Sequence, residues 1–266
     1  MKLTILGCGA SPGVPRIDGN WGACDPAEPR NYRTRSSALI ERFADEGQRP
    51  TRVLIDTSPD LRAQMLAARV DAIDGVVYTH THADHVHGID DLRAYALIAR
   101  RMVDVYADDD TYAKLVSSFG YCFRAPPGSA YPPILKRTRI EAGTPFAVHG
   151  PGGPVTLLPF RQIHGDIESL GIRVGGIAYS CDVSDIPEES IAALRGLDTW
   201  IVDALRHTPH PSHFSLGRAL EWIARIGPRR AYLTHLHADL DYRATLAILP
   251  AGVEPAYDGL VIETVE

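Results

Sequence analysis

The stretch YTHTHADHVHGIDDLR, residues 78–93, constrains this chain more than any other feature of the sequence. It follows the apolar run GVV and places four of the chain's 11 histidines within eight positions, beside three aspartates. Because imidazoles are mostly neutral at pH 7, salt bridges with the aspartates do not explain the cluster. Imidazole and carboxylate groups gathered directly after a strand-like run are instead typical of a metal site.

The spacing within HTHADH divides its side chains between two ions. Residues two apart in an extended segment point to the same side, so His80 and His82 can bind one ion together. Where the chain turns into the next helix, Asp84 and His85 can face a second ion beside the first. Imidazole suits zinc, manganese or iron, and a carboxylate oxygen widens that choice. We therefore expect two divalent ions per chain, Zn²⁺ or Mn²⁺.

Two ions need more ligands than this turn provides, and three later residues each follow a strand-like run. His164 follows LLPFRQI, Asp182 follows IAYSC, and His235 lies in YLTH. Cys181 is an alternative ligand at the same strand end as Asp182, but a thiolate shared by two such ions is less expected than a carboxylate. Asp56, which ends RVLID, can orient a ligating imidazole through a hydrogen bond, or it can cap the helix that follows.

Strand-like and helical patterns alternate along the whole chain. The predicted strands are 3–6, 37–43, 52–57, 75–79, 155–160, the two runs that flank Gly175-Gly176 as a hairpin, 199–205 and 230–236. Apolar periodicity predicts helices over 59–70, 90–100, 110–119, 187–195 and 215–227. The pattern roughly repeats in the second half of the chain. Two sheets packed face to face with helices outside would satisfy it, although several other α/β folds would as well.

Residues 120–154 form one loop-rich stretch with many prolines and glycines. The patterns on both sides of it continue without a change in character, so it does not read as a linker between domains. We expect a single domain over residues 1–266, in which 120–154 is a long surface loop or lid.

The composition limits the partners of this chain. A net charge of −6 argues against binding to long nucleic acid, which usually needs a basic surface. A small anionic substrate needs only one local positive site. The four cysteines are scattered, as in reduced cytoplasmic proteins, and no stretch reaches the length of a membrane span. We therefore expect a cytoplasmic protein that binds no membrane, and the sequence leaves a homodimer open.

Taken together, these residues resemble the metallo-β-lactamase-fold hydrolases. Five motifs of that superfamily match in order across nearly the whole chain: Asp56, HTHADH, His164, Asp182 and His235. The resemblance implies an α/β fold with αββα layers and a dinuclear metal site at one edge of the two sheets. It also implies how the ligands divide, with His80, His82 and His164 on one ion and Asp84, His85 and His235 on the other. Asp182 would bridge the two ions.

Four segments look like the PhnP branch of this superfamily: LGCGASPGVPRI, RNYRTRSSALIE, HGIDDLR and HPSHFSLGRALEWI. That branch hydrolyses cyclic phosphodiesters such as phosphoribosyl cyclic phosphate. It carries a further histidine before a late helix, matched here by His213, which acts on the phosphodiester. Relatives in the branch often hold a separate structural zinc through closely spaced cysteines. Here GNWGACDP offers only Cys24, and Ala238 stands near the place of the partner histidine, so we expect no structural zinc.

The resemblance implies a dinuclear metal-dependent phosphodiesterase that acts on small cyclic phosphodiesters. Asp84 and His213 are the expected catalytic residues. Two divalent ions with two carboxylates and a shared hydroxide carry a net charge of about +1, which favours an anionic substrate. His213 can supply a proton to a poor leaving group, although it also fits a neighbour of the cap of the next helix. Arg33 and Arg35 can contact a terminal phosphate, although basic loop residues are more often solvated.

Three alternatives stay open. A thioesterase or lactonase would use the same metals on a carbonyl group, but it needs no His213. A tRNA-processing nuclease would want a basic arm, which the proline-rich 120–154 stretch does not provide. The segment SPDLRAQ resembles the PqqB-type proteins of quinone-cofactor biosynthesis, whose histidine motif is often degenerate. The intact HTHADH favours an active hydrolase.

Overall fold

The strands of this protein form two seven-stranded sheets in the computed structural model, which describes residues 1–44 and 47–263. The first sheet contains β1 (Lys2–Gly7), β2 (Ser37–Arg42), β3 (Thr51–Ile55), β4 (Gly75–Val77), β5 (Val103–Ala107), β6 (Leu135–Arg139) and β14 (Val261–Glu263). Its order is β14-β1-β2-β3-β4-β5-β6. The second sheet contains β7 (Phe146–Val148), β8 (Val155–His164), β9 (Ile167–Val174), β10 (Ile177–Ser180), β11 (Thr199–Asp203), β12 (Arg230–Thr234) and β13 (Val253–Pro255). Its order is β13-β12-β11-β10-β9-β8-β7.

Helices cover the outer faces of both sheets. They are α1 (Leu61–Ala67), α2 (Ala83–Val86), α3 (Leu92–Ala99), α4 (Asp109–Phe123), α5 (Glu188–Leu194), α6 (Leu216–Ile226) and α7 (Tyr242–Ile248), with 3₁₀ turns at Pro29–Asn31 and Ile89–Asp91. β3 shows why both faces of a strand are apolar. Val53 and Ile55 point into the core between the sheets, whereas Leu54 packs in the cluster that contains Leu61 of α1. The expected αββα sandwich is therefore confirmed.

Each sheet combines antiparallel and parallel strands, and the two halves of the chain repeat this plan. β1, β2 and β3 pair antiparallel and β3 to β6 pair parallel, while β8, β9 and β10 pair antiparallel and β10 to β13 pair parallel. The predicted Gly175-Gly176 hairpin is present, with Val174 opposite Ile177. The carboxyl ends of parallel strands meet at one edge of a sheet, which is where the candidate site lies.

The structure interrupts the predicted loop over 120–154. α4 continues to Phe123, residues 135–139 form β6 beside β5, and residues 146–148 form β7 beside β8. The sequence pattern did not predict β6, because LKRTR is an edge strand with exposed basic side chains. Such a strand lacks the apolar signal of a buried one. The predicted single domain also includes residues 45–46 and 264–266, which lie outside the described residues. No helix in the described part of the chain is long and apolar enough to cross a membrane.

Candidate metal centre and active site

The candidate site residues lie where neighbouring strands end. His164 is the last residue of β8, and Asp56, Asp182 and His235 each follow shortly after a strand. The φ angles of Asp56, Asp182 and His235 are 58°, 53° and 57°. Residues other than glycine rarely adopt this left-handed conformation, and when they do it is often at functional sites. These backbone turns end the strands and bring their side chains to one edge of the sandwich.

The first candidate ligand group contains His80, His82, His164 and Asp182. Nε2 of His80 and Nε2 of His164 each lie 3.5 Å from Oδ2 of Asp182. Nδ1 of His82 lies 3.0 Å from Nε2 of His164. Burial lowers the pKa of His164 to about 3, so its imidazole is neutral at pH 7 and can offer a lone pair to an ion. These four side chains are the ones that the resemblance placed around the first ion.

The second candidate group contains His85, Cys181, Asp182 and His235. Oδ1 of Asp182 lies 3.2 Å from Nε2 of His85 and 3.0 Å from Nδ1 of His235. The two carboxylate oxygens of Asp182 therefore face different groups, as a ligand shared by two ions requires. The sequence ranked Cys181 below Asp182 as a ligand, whereas the structure brings both together, with Sγ of Cys181 2.9 Å from Oδ1 of Asp182.

Asp84 lies at the margin of the second group. Its Oδ2 is 3.7 Å from Nε2 of His85 and accepts a hydrogen bond of 2.6 Å from Oγ of Ser11. The set of ligand atoms that lie within 4.8 Å of one another includes Cys181 and not Asp84. The sequence did not single out Ser11, because a serine in a glycine-rich loop carries no signal of its own.

Two buried ring nitrogens support metal binding. Nε2 of His80 and Nε2 of His85 face the Asp182 carboxylate, but neither makes a hydrogen bond of acceptable geometry with any described residue. A buried polar atom without a partner is costly, and native structures rarely leave one unless something else binds it. The combination of imidazole nitrogens with carboxylate oxygens, and one thiol nearby, suits a divalent transition metal. The residues therefore fit a divalent metal centre.

Asp56 is placed to orient His85. Oδ2 of Asp56 lies 2.8 Å from Nδ1 of His85, and the carboxylate also accepts hydrogen bonds from the backbone N–H and the hydroxyl of Thr79. The residue before α1 is Asp60, so Asp56 does not cap that helix. By holding Nδ1, Asp56 turns Nε2 of His85 towards Asp182.

His213 lies beside the candidate ligands. Its ring stacks on His235, with centroids 4.7 Å apart and an interplanar angle of 12°, and it meets His164 edge-on at 4.6 Å. Its Nδ1 lies 2.8 Å from Oδ2 of Asp203, a fully buried residue at the end of β11. Burial by itself would lower the pKa of His213, but the Asp203 carboxylate holds it above its ordinary value. The cap of α6 is Ser215, through its own hydroxyl.

Comparisons with known proteins identify the family. A family model described as "Beta-lactamase superfamily domain" matches residues 51–236. The chain is also 36% identical to a protein whose crystal structure is described as "a New Diphosphatase from the PhnP Family". That alignment has a TM-score of 0.87 and covers 99% of this chain and 98% of the other. This chain belongs to the PhnP family of the metallo-β-lactamase superfamily. The resemblance seen in the sequence is confirmed.

Two further relatives of this PhnP-family chain differ in what they support. Zinc-bound PqqB from Methylobacterium extorquens is 22% identical, with a TM-score of 0.78 over 99% of this chain and 100% of that one, which shows a shared fold alone. A protein of Porphyromonas gingivalis named octanoyltransferase is 37% identical over 265 residues. The match covers 98% of this chain but only 51% of that relative, so the chain spans about half of its length. The name octanoyltransferase describes the full-length relative, and this chain matches only about half of it.

A cavity of about 710 Å³ opens beside the candidate metal centre of this PhnP-family chain. Its lining includes the candidate ligand His82, its neighbour Asp84, and the basic residues Arg16 and Arg35. Nε of Arg35 is held 3.0 Å from a carboxylate oxygen of Asp60. The sequence analysis predicted Arg35 as a substrate contact but did not identify Arg16. A single basic residue in a loop gives no sequence signal that would distinguish it from a solvated one.

Arg33 does not line this cavity. It is only 1% exposed, and its guanidinium donates hydrogen bonds to the carbonyl oxygens of Leu240, at 2.7 Å, and His237, at 3.2 Å. The structure thus contradicts Arg33 as a substrate contact, because its donors tie two loops together inside the protein. Cys24 is also buried in this region, with Sγ 3.4 Å from the carbonyl oxygen of Ala238. The expected lack of a structural zinc stays a prediction.

Proposed function

We propose that this chain is a metal-dependent phosphodiesterase that hydrolyses small phosphodiesters, with cyclic ones as its preferred class. The observation that carries the proposal is the position of His213, which stacks on His235 beside the two ligand groups while the buried Asp203 holds its Nδ1. A diphosphate bond is a second candidate, because a relative at 36% identity is described as a diphosphatase.

The ligand groups supply the electrophilic part of such a site. Divalent ions held there would lower the pKa of water and neutralise charge on the phosphoryl oxygens. Asp182 supports both positions because each of its oxygens faces a different group. Asp56 fixes the ring of His85, and the carbonyl oxygen of Ser212 fixes that of His164 at 2.5 Å from Nδ1. These contacts hold the site in place before a substrate arrives.

His213 is suited to the leaving group of a phosphodiester. Its Nδ1 donates to Asp203, so Nε2 is the nitrogen left to face a substrate. An alkoxide leaves phosphorus slowly unless it receives a proton or a hydrogen bond as the bond breaks. A protonated His213 provides that proton, while Asp203 stabilises the charged ring.

The cavity beside Asp84 suits the part of the substrate that stays on phosphorus. Arg16 and Arg35 are basic residues of its lining, and a guanidinium group matches the planar, paired acceptors of phosphate groups. Arg35 is fixed by Asp60, so little side-chain freedom is lost when it binds an anion.

A substrate panel tests the proposal. Metal-loaded protein is assayed with adenosine 2′,3′- and 3′,5′-cyclic phosphates, bis(p-nitrophenyl) phosphate, a dinucleoside diphosphate, a thioester and a lactone. We expect a phosphodiester to have the highest kcat/KM, and metal removal with a chelator to abolish its turnover. A higher kcat/KM for the thioester or lactone would overturn the proposal in favour of a carbonyl hydrolase. The dinucleoside diphosphate as best substrate would favour the second candidate.

A further inference from the structure

The loop between β11 and α6 carries two histidines besides His213, and one of them, His210, has no role so far in the proposed reaction. The loop is fixed at both ends: the backbone N–H of Leu205 donates to the carbonyl of Phe214, and that of Leu216 donates to the carbonyl of Arg206. The guanidinium of Arg206 also donates to the carbonyl of Pro209 at 2.9 Å. A histidine in this loop is therefore held in position by the fold.

The hydrogen bonds of His210 determine its tautomer. The backbone N–H of Ser212 donates to Nδ1 of His210 at 3.3 Å, and Oγ of Ser212 lies 3.2 Å from the same nitrogen. A backbone N–H can only donate, so Nδ1 of His210 is an acceptor. The neutral ring then carries its proton on Nε2. His210 is half-buried, and the Ser212 contacts at Nδ1 leave its Nε2–H free to donate.

His213 has the opposite arrangement. Its Nδ1 carries a proton because the Asp203 carboxylate can only accept. The two rings contact each other, with centroids 5.2 Å apart and an interplanar angle of 52°. Two neighbouring oxygens of one leaving group can therefore be served by these two rings together.

We propose that His210 donates a hydrogen bond to the oxygen next to the departing oxygen, while His213 serves the departing oxygen itself. The inference rests on the proposed function and adds to it a preference for leaving groups that carry a vicinal hydroxyl, such as ribose. An aryl or deoxy leaving group lacks this acceptor and gains nothing from His210.

The test compares adenosine 3′,5′-cyclic phosphate with its 2′-deoxy analogue, which differ by the hydroxyl next to O3′. In metal-loaded protein, His210→Ala should lower kcat/KM for the ribose substrate about 2- to 13-fold, the range for one net hydrogen bond. The deoxy substrate should change by less than about twofold. His210→Gln, which retains an amide N–H, should restore most of the loss on the ribose substrate. His207→Ala, an exposed histidine of the same loop, is the matched control and should change neither substrate.

Other outcomes separate this inference from the function on which it rests. Equal losses on both substrates, with no rescue by glutamine, would show that His210 only supports the loop. A loss that disappears in a His213→Ala background would show that His210 acts through His213 and not on the substrate. Both results overturn the inference while the phosphodiesterase stands. No turnover of any phosphodiester by the wild-type protein would instead overturn both.

Discussion

Replacing Asp203 by asparagine tests whether the Asp203–His213 pair serves the leaving group. Oδ2 of Asp203 accepts hydrogen bonds from Nδ1 of His213 at 2.8 Å and from the backbone N–H of Val183 at 3.0 Å. Its Oδ1 is buried with no hydrogen-bond partner among the described residues. The amide of asparagine has the same shape, so its oxygen can replace Oδ2 and its nitrogen Oδ1. The substitution then removes the charge and keeps the geometry.

The size of the effect follows from the change in hydrogen-bond type. A hydrogen bond to a charged group contributes about 1.5–3 kcal/mol, against about 0.5–1.5 kcal/mol for a neutral pair. The difference of about 1–1.5 kcal/mol corresponds to roughly a 5- to 13-fold loss in rate. Removing the ring itself with His213→Ala should cost roughly 10²–10⁴, the usual range for a positioned general acid. The double variant should be no slower than His213→Ala alone, because Asp203 acts through His213.

The assay measures kcat/KM for a ribose cyclic phosphodiester and for bis(p-nitrophenyl) phosphate, whose leaving group departs readily without a proton. Both variants should slow the first substrate clearly more than the second, at unchanged metal content. Equal losses on both substrates would refute the reasoning and indicate that His213 holds the phosphoryl oxygens. Additive losses in the double variant would show that Asp203 has a role independent of His213.

Four other predictions concern the metals and the stability of the fold. Asp182→Ala should lose most of both ions in elemental analysis, because its two oxygens face both ligand groups; one ion retained at full occupancy would exclude a shared ligand. Arg33→Met should lower the free energy of unfolding in urea by about 2–4 kcal/mol, because buried carbonyls lose their donors. Cys24→Ser should lose no metal in elemental analysis. A metal ion lost with Cys24 would reveal a structural site. Burial raises the pKa of Asp258 to about 6, above about 3.9 in the unfolded chain. The native state therefore binds more protons between these values, and the contribution of Asp258 to stability falls as pH rises from about 4 to 6. Asp258→Asn should remove this pH-dependent contribution. The difference in the free energy of unfolding between wild type and variant should then change by up to about 3 kcal/mol between pH 4 and pH 7.5, as measured by urea unfolding at both pH values.

Much of the fold and the candidate ligand set could be predicted from local sequence patterns. The HTHADH motif places its ligands by strand and turn geometry over a few residues, and His164, Asp182 and His235 were recognisable because each follows a strand-like run. Strand ends of this kind gather at one edge of a sheet whatever the loops do between them. A continuous apolar run, as in Val53, Leu54 and Ile55 of β3, likewise encodes burial on both faces within one short segment.

Only the tertiary structure decided which polar residues of the loops face the site. Arg33 and Arg35 are two positions apart and chemically alike, yet the first is buried against the carbonyls of Leu240 and His237 and the second lines the cavity. Ser11 is recruited by Asp84, 73 residues away. Such contacts depend on where distant loops meet, and no local pattern encodes that meeting. The strand β6 also depends on tertiary contacts, because LKRTR becomes a strand only where β5 supplies its hydrogen-bond partners.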